Sequence, residues 1–398
     1  MSKILIITGQ FVPYTKSLGG ILRVYSFLRL LKKKHKLFLL SSKSVTKKYG
    51  YLGLKKKDLK GIDIKYIKND NLKLVSAFFN FKLFRNFFYL LGLDYTFSIN
   101  TKYLNQCFEI INKNNIEYLI ISSPPFSLFY LVKKIRKRFK NIKIILDYRD
   151  GWSTRINNPI NLPLKLIIQI FIEKKILEQS NFVTTATSNI NSKLNHLIKN
   201  KSILIRNGFI EKPKKKNKQI KKNNKIKIGY FGLISEDSSS YRNIRIIFNK
   251  INDNEFLKKK LIFEFYGNND IKSESIKNLK SFKFKKNLSY KKALSKMAEM
   301  DYLLILHTEK STSEEMVTSK FYDYLASGTP IINVSSGENE VGQIIKRLKL
   351  GYNVDYEKQS LEKFLNELKK NNKKIKWNKH FDTFSRNYQN KKLLKLIK

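Results

Sequence analysis

The chain of 398 residues is long enough to bury large cores and to form two or three domains. Its hydrophobic share of 42% is that of a globular protein, and 80 Lys and Arg against 31 Asp and Glu give a formal charge of +49. That charge invites a nucleic-acid or anionic-membrane partner, but zinc-finger spacing, an RNA-binding sheet signature and basic-zipper heptads are all lacking, so no nucleic-acid partner is expected.

The basic excess is mostly lysine and travels with many Asn and Ile residues. A biased coding sequence would place such lysines on solvated faces, and a selected basic surface would look the same. Cys107 is the only cysteine, which rules out an intrachain disulfide and fits a reducing compartment. The opening MSKILIITGQ has an apolar run too short for a signal peptide, and no stretch of about 18 uncharged apolar residues occurs. A cytoplasmic protein is expected, possible contact with the inner face of a membrane aside.

In chain order, 3–7 reads as a buried strand, 8–18 as a loop, and Gly19-Gly20 as the opening of a helix reaching about Lys33. Glycines at the carboxyl end of a first strand let a ligand approach the backbone, and a helix start favours an anion. No GxGxxG accompanies them, which argues against an ordinary dinucleotide site. His35 has no orienting partner nearby in sequence and reads as structural. The stretch 72–91, LKLVSAFFNFKLFRNFFYLL, is rich in Phe and Leu but broken by Lys73, Lys82 and Arg85. It suits either a core helix or one lying among lipid headgroups, and 162–177, LPLKLIIQIFIEKKIL, repeats the type.

Residues 117–123 read as a strand ending in SSPPFS, 126–139 as a helix, and 142–146 as the next strand. Beyond it comes Asp147-Tyr148-Arg149-Asp150-Gly151-Trp152. Ligands of open parallel sheets bind past the carboxyl ends of strands, where both SSPP and DYRDGW fall. Two carboxylates flanking an arginine serve acid–base or orienting work, or form a structural cluster. Strands are expected at 182–186 and 202–206, followed by a lysine-rich aperiodic linker over 211–225.

The second half starts with a strand at 227–231 running into Gly232, then a helix from about Arg242. Further strands are expected at 261–266, 281–285 and 302–306. In MVTSKFYDYLASGTPIINV, residues 316–334, Thr318 and Ser319 cap a helix in which Phe321, Tyr324 and Leu325 face inward. Gly328 and Pro330 stop that helix, and 331–334 is a buried strand, the last full βαβ unit. Lys320 in the first helical turn, beside unpaired N–H groups, suits a phosphate. Helices at 361–370 and 378–397 finish the chain, with Trp377 and Phe381 as apolar anchors.

These segments, taken together, resemble the GT-B glycosyltransferases of the family 4 type. The likeness rests on KILIITGQFVPYTKSLGGILRVYSFLRLLKKKHKLFLLSS, ILDYRDGW, IRNGF, IGYFGLIS and SKFYDYLASGTPII, in that order. It implies an α/β fold of two Rossmann-like domains facing a cleft: an acceptor domain over 1–208, a linker over 209–225 and a nucleotide-sugar domain over 226–375. Residues 376–398 would then form a helix crossing back to the first domain.

The family's two acidic residues fall on Glu315, facing the donor sugar as a catalytic candidate, and Asp323, on the nucleotide ribose. Asp323 is one methylene shorter than the usual glutamate. Lys320, Ser319, Arg242, Gly19 and Gly20 match positions that hold the donor diphosphate, with Arg23 near the last two. Arg149 and Asp150 align with a His–Asp pair, so the usual histidine is missing. Asp150 takes the primary catalytic role on the acceptor side and Asp147 the alternative. His307 could approach the sugar, and as a loop histidine it could equally be structural. The resemblance implies sugar transfer with retention from a nucleotide-diphosphate sugar to a glycan or lipid-linked acceptor, in bacterial cell-surface polysaccharide synthesis. No DxD sequence occurs, so no metal and no cofactor is indicated. A sugar-nucleotide 2-epimerase of the same fold, or a non-enzymatic basic protein, would be the alternatives.

Overall fold

The computed structural model describes residues 1–15, 17–43, 45, 47–68, 81, 87, 88, 91, 93, 97–154, 163–198, 202–211, 225–309, 314–369 and 375–397. Most of the Phe-rich stretch 72–91 and of the linker 211–225 lies outside the described residues.

The chain divides into two compact units, 1–207 with 386–398, and 208–385. The first is built on β1 (Lys3–Thr8), β2 (Lys36–Ser42), β3 (Asp63–Ile67), β4 (Tyr118–Ser123), β5 (Lys143–Tyr148), β6 (Phe182–Thr185) and β7 (Ser202–Leu204). They form one parallel sheet in the order β3-β2-β1-β4-β5-β6-β7. Among the described residues its helices include α1 (Leu22–Leu31), α2 (Asn100–Asn114), α3 (Leu131–Arg138), α4 (Pro163–Leu177) and α5 (Ser188–Ile198). Runs such as ILII and LIIS have no polar alternation because helices cover both faces of a parallel sheet, and Ile4, Leu5, Ile6 and Ile7 are fully buried. Strand order reverses beside β1, between β1 and β4. That is the switch point where loops at the carboxyl edge part to admit a ligand.

The second unit contains β8 (Ile226–Phe231), β9 (Ile234–Ser235), α6 (Arg245–Asn252), α7 (Glu255–Lys260), β10 (Leu261–Tyr266), β11 (Asn269–Asp270), α8 (Glu274–Asn278) and β12 (Phe282–Lys285). It continues with α9 (Tyr290–Met297), β13 (Tyr302–His307), α10 (Ser319–Ser327), β14 (Ile331–Ser335), α11 (Glu340–Leu348), β15 (Gly351–Asp355) and α12 (Leu361–Glu367). The main sheet is parallel, in the order β12-β10-β8-β13-β14-β15. Alternate strand residues feed opposite cores: Leu304 and Leu306 pack with α6 and α12, Leu303 and Ile305 with α10 and α11.

Several expected elements shift. α1 begins at Leu22 rather than at Gly19, because Gly19 and Gly20 lie in a preceding turn. The segment from Phe126 opens as a 3-10 turn, Phe126–Tyr130, before α3. The unit ending at β14 is not the last βαβ element: α11 and β15 follow, and β15 pairs along the whole of β14. The terminal helix is also divided. A 3-10 turn at Lys379–Phe384 belongs to the second unit, whereas α13 (Arg386–Leu394) belongs to the first, where it packs on α1. There Gln389 accepts from the Arg206 backbone N–H at 3.0 Å, and the Lys392 amine donates to the Leu204 carbonyl at 2.9 Å.

Candidate functional site

The carboxyl edge of the first sheet is organised by Asp147, the fifth residue of β5. The parallel register places Ser122, Asp147 and Thr184 side by side on one face. Asp147 is fully buried. The Arg23 guanidinium, from α1, donates to it through Nε at 2.9 and 3.0 Å and through Nη2 at 2.7 Å. Ser122 Oγ donates at 2.8 Å and Thr184 Oγ1 at 2.6 Å, and the remaining Arg23 nitrogen reaches the Ile205 carbonyl. Burial alone would push the Asp147 carboxyl up, but Arg23 and the two hydroxyls outweigh it and hold the group below its ordinary value. Arg23 and Asp147 thus neutralise each other and join α1, β4, β5, β6 and the end of β7. This is a fastening, with both side chains engaged inside the unit.

Arg149, two residues further along, is a second fastening. It donates to the carbonyls of Gly20 and Pro124 and, at 3.3 Å, to that of Ser123, so it joins three loops of this edge. A Cβ at Gly20 would meet the amide end of the Gln10 side chain, which lies against this turn. Gly19 is exposed, as is Asp150, which leaves Asp150 as the acidic side chain of the motif that faces solvent. Beneath it Trp152 stacks on Phe126 with centroids 5.5 Å apart, and the fully buried Glu173 of α4 accepts from the Ser153 backbone N–H at 3.1 Å.

The second sheet's carboxyl edge is arranged differently. Lys320, in the first turn of α10, is half-buried, and its Nζ lies 3.7 Å from the centroid of the Tyr230 ring. Gly232, at φ +129°, lets the β8 loop pass under it: a Cβ there would lie 3.3 Å from Nζ. Among the described residues Lys320 has no carboxylate partner. Desolvation, and then the neighbouring Arg242 cation, push its amine well below the usual lysine value. Arg242 is half-buried, its guanidinium 4.6 Å from the Tyr241 ring centroid. Two cations and the start of α10, where Ser319 is the first helical residue, therefore share one corner. Such a corner is held ready for an anion rather than neutralised from within.

His307 ends β13 on the face covered by α10 and is fully buried. Its Nδ1 lies 3.0 Å from Asn333 Oδ1, and Tyr241 stacks on its ring at 6.3 Å. Burial, with Lys320 nearby, lowers it to about 4, so it is neutral at neutral pH. Glu315 is buried in the turn before α10. Asp323 is half-buried, and its Oδ1 accepts from the Tyr290 hydroxyl at 2.8 Å, which orients the carboxylate toward α9. The structure thus gathers Lys320, Arg242, Ser319 and His307 about one strand edge. Tyr230, Tyr241 and Asn333 belong to the same corner and were not singled out in the sequence. Asn333 had a signal: a lone amide in the otherwise apolar IINV.

No protein-family model matches the chain, and no curated protein matches it in sequence. Solved structures match it in fold. An alpha,alpha-trehalose-phosphate synthase (UDP-forming) from Burkholderia xenovorans, in complex with glucose-6-phosphate, aligns over 100% of both chains at 8% identity, with a TM-score of 0.65. The lipopolysaccharide outer core galactosyltransferase WaaB aligns over 99% of both at 11% identity and 0.54. UDP-GlcNAc 2-epimerase from Methanocaldococcus jannaschii aligns over 99% of both at 12% and 0.51. The chain has the fold these structures share, GT-B, with two Rossmann-like domains.

Proposed function

We propose that the chain is a glycosyltransferase that moves a sugar from a nucleotide-diphosphate donor to a glycan or lipid-linked acceptor. The observation that carries this reading is the corner of Lys320 and Arg242, two neighbouring cations without a described carboxylate on Lys320, at the start of α10. Breaking the bond between the anomeric carbon and the diphosphate oxygen leaves negative charge on that oxygen. Fixed cations and helix N–H groups stabilise that charge more in the transition state than in the ground state. Lys320, Arg242 and Ser319 would hold the diphosphate without a metal, Glu315 and His307 would lie toward the sugar, and Asp323 toward the ribose. In the first unit Asp150 would face the acceptor, while Arg149, Arg23 and Asp147 hold its loops. Transfer would retain the anomeric configuration, in the synthesis of a bacterial surface polysaccharide.

Thermal stabilisation by a panel of nucleotide sugars tests the donor site, because a ligand that binds only the native state raises apparent stability. Stabilisation of the unaltered protein that Lys320→Ala reduces is expected; equal stabilisation of both would overturn the assignment. The epimerase neighbour favours a second reading, a sugar-nucleotide 2-epimerase. Incubating the stabilising donor without acceptor separates the two, since an epimerase converts it alone.

The acceptor reading extends to a membrane surface. Leu166, Ile167, Ile168 and Phe171 are exposed on α4, followed by exposed Lys174 and Lys175, the arrangement of a helix lying among anionic headgroups. Among the described residues no helix is long and apolar enough to cross a bilayer. Ile167→Ser with Phe171→Ser should release the protein from phosphatidylglycerol vesicles, and retained binding would remove the membrane contact.

A further inference from the structure

The polar residues below the cation corner form a chain whose hydrogen-bond directions are fixed from one end. Asn339 caps α11, and its Oδ1 accepts from the Gly342 backbone N–H at 2.8 Å. A backbone N–H only donates, so the side-chain atom facing it must be the oxygen. That oxygen also faces Asn333 at 3.3 Å, which must therefore present its amide nitrogen; the same nitrogen lies 2.6 Å from Asn353 Oδ1. The other end of the Asn333 amide is then the oxygen, and it faces His307 Nδ1 at 3.0 Å. An amide oxygen accepts only, so Nδ1 carries the proton.

We propose that Asn339, acting through Asn333, locks His307 as the neutral Nδ1–H tautomer, so that Nε2 is the hydrogen-bond-accepting nitrogen at the carboxyl edge of the second sheet. Asn333 and Asn339 are on this account positioning residues for His307. The energetic logic is that of a buried polar network: reversing the Asn333 amide would set two oxygens against each other toward Asn339, so the reversed amide, and with it the Nε2–H ring it would call for at His307, is disfavoured. The low value of the imidazole agrees, since a cation here would stand beside Lys320.

The lock is tested in the ligand-free protein, so the result stands apart from whether a nucleotide sugar binds. The chain has four histidines, and His307→Gln assigns the His307 signals by their loss from the spectrum of the imidazole-15N-labelled protein. Between pH 6 and 8 the unaltered protein should show a protonated Nδ1 and a bare Nε2 for His307. Asn333→Leu should bring up the Nε2–H form, Asn339→Ala should do so to a smaller extent, and Asn339→Asp, which keeps both acceptor contacts, should restore the original pattern. An Nε2–H ring in the unaltered protein overturns the proposal, as does an unchanged tautomer in Asn333→Leu. If a melting curve shows that Asn333→Leu does not fold, the contrast between Asn339→Ala and Asn339→Asp decides: identical spectra overturn it.

Discussion

The two sheets of this chain place arginine or lysine at the same kind of edge and use them in opposite ways. On the first sheet Arg23 is matched with Asp147, both buried and all of the carboxylate's contacts satisfied within the protein. On the second sheet Lys320 meets a tyrosine ring, a glycine and another cation, with no described carboxylate. A buried pair that is satisfied internally adds order to a scaffold and offers nothing to a ligand. A desolvated cation without a counter-ion costs folding free energy, which a bound anion returns. Charge type alone therefore does not mark a site; the state of the partner does.

Breaking the first half of this contrast should have the largest effect. Asp147→Ala leaves the Arg23 guanidinium buried without its counter-ion and should cost about 3–5 kcal/mol, read from denaturant unfolding. Replacing both, Arg23→Met with Asp147→Leu, should recover much of that loss. If Asp147→Ala were neutral, the pair would not be the fastening described. The second effect is the response to acid. His307 falls from an ordinary 6.5 to about 4 on folding. A lowered imidazole stabilises the fold above 6.5 and loses that contribution as pH falls toward 4, a loss of about 3 kcal/mol. Stability measured against pH should lose that step in His307→Leu. Asp147, held below its ordinary value, keeps its contribution until lower pH still.

How much of this was legible in the sequence follows from where each signal resides. Unbroken runs such as ILII and LLIL announce buried parallel strands, and Gly328 with Pro330 marks a helix stop, so the two Rossmann-like units could be read. Gly328 indeed caps α10 at φ +68°. The edge strand β15, Gly351–Asp355, was missed because GYNVD has the polar mix of a strand covered on fewer sides, with Gly351 and Tyr352 exposed. At the sites, Lys320 was legible because a lysine just inside a helix start is a local pattern. The opposite fates of Asp147 and Asp150, three positions apart, were not. They depend on whether a guanidinium from residue 23 arrives, and no local spacing records that.

Lys320→Met sharpens the comparison from the other side. Removing a desolvated amine that lacks a described carboxylate should leave stability unchanged or raise it by about 1 kcal/mol, the reverse of Asp147→Ala. The same change should weaken nucleotide-diphosphate binding by about 2 kcal/mol, roughly 30-fold, as expected for one charge-assisted hydrogen bond. Calorimetric titration with UDP and thermal melts of the two variants check both signs together. A variant that loses stability and keeps its affinity would return Lys320 to the scaffold.

The smallest effect is the pH dependence of that binding, and its sign is fixed by the lowered Lys320 amine. Without ligand the amine sheds its proton at a pH below the usual lysine value, because desolvation and Arg242 disfavour the charged form. A diphosphate beside it favours the charged form and raises that value again. Binding above the free value therefore takes up a proton, and affinity must fall as pH rises, by at most tenfold, about 1.4 kcal/mol, per pH unit. The slope should vanish in Lys320→Met. It should shrink in Arg242→Gln, where the cation that helps depress Lys320 is gone and the amine of the free protein is already nearer its ordinary value. A slope that survives Lys320→Met would assign the titrating group to another residue and separate the anion site from the start of α10.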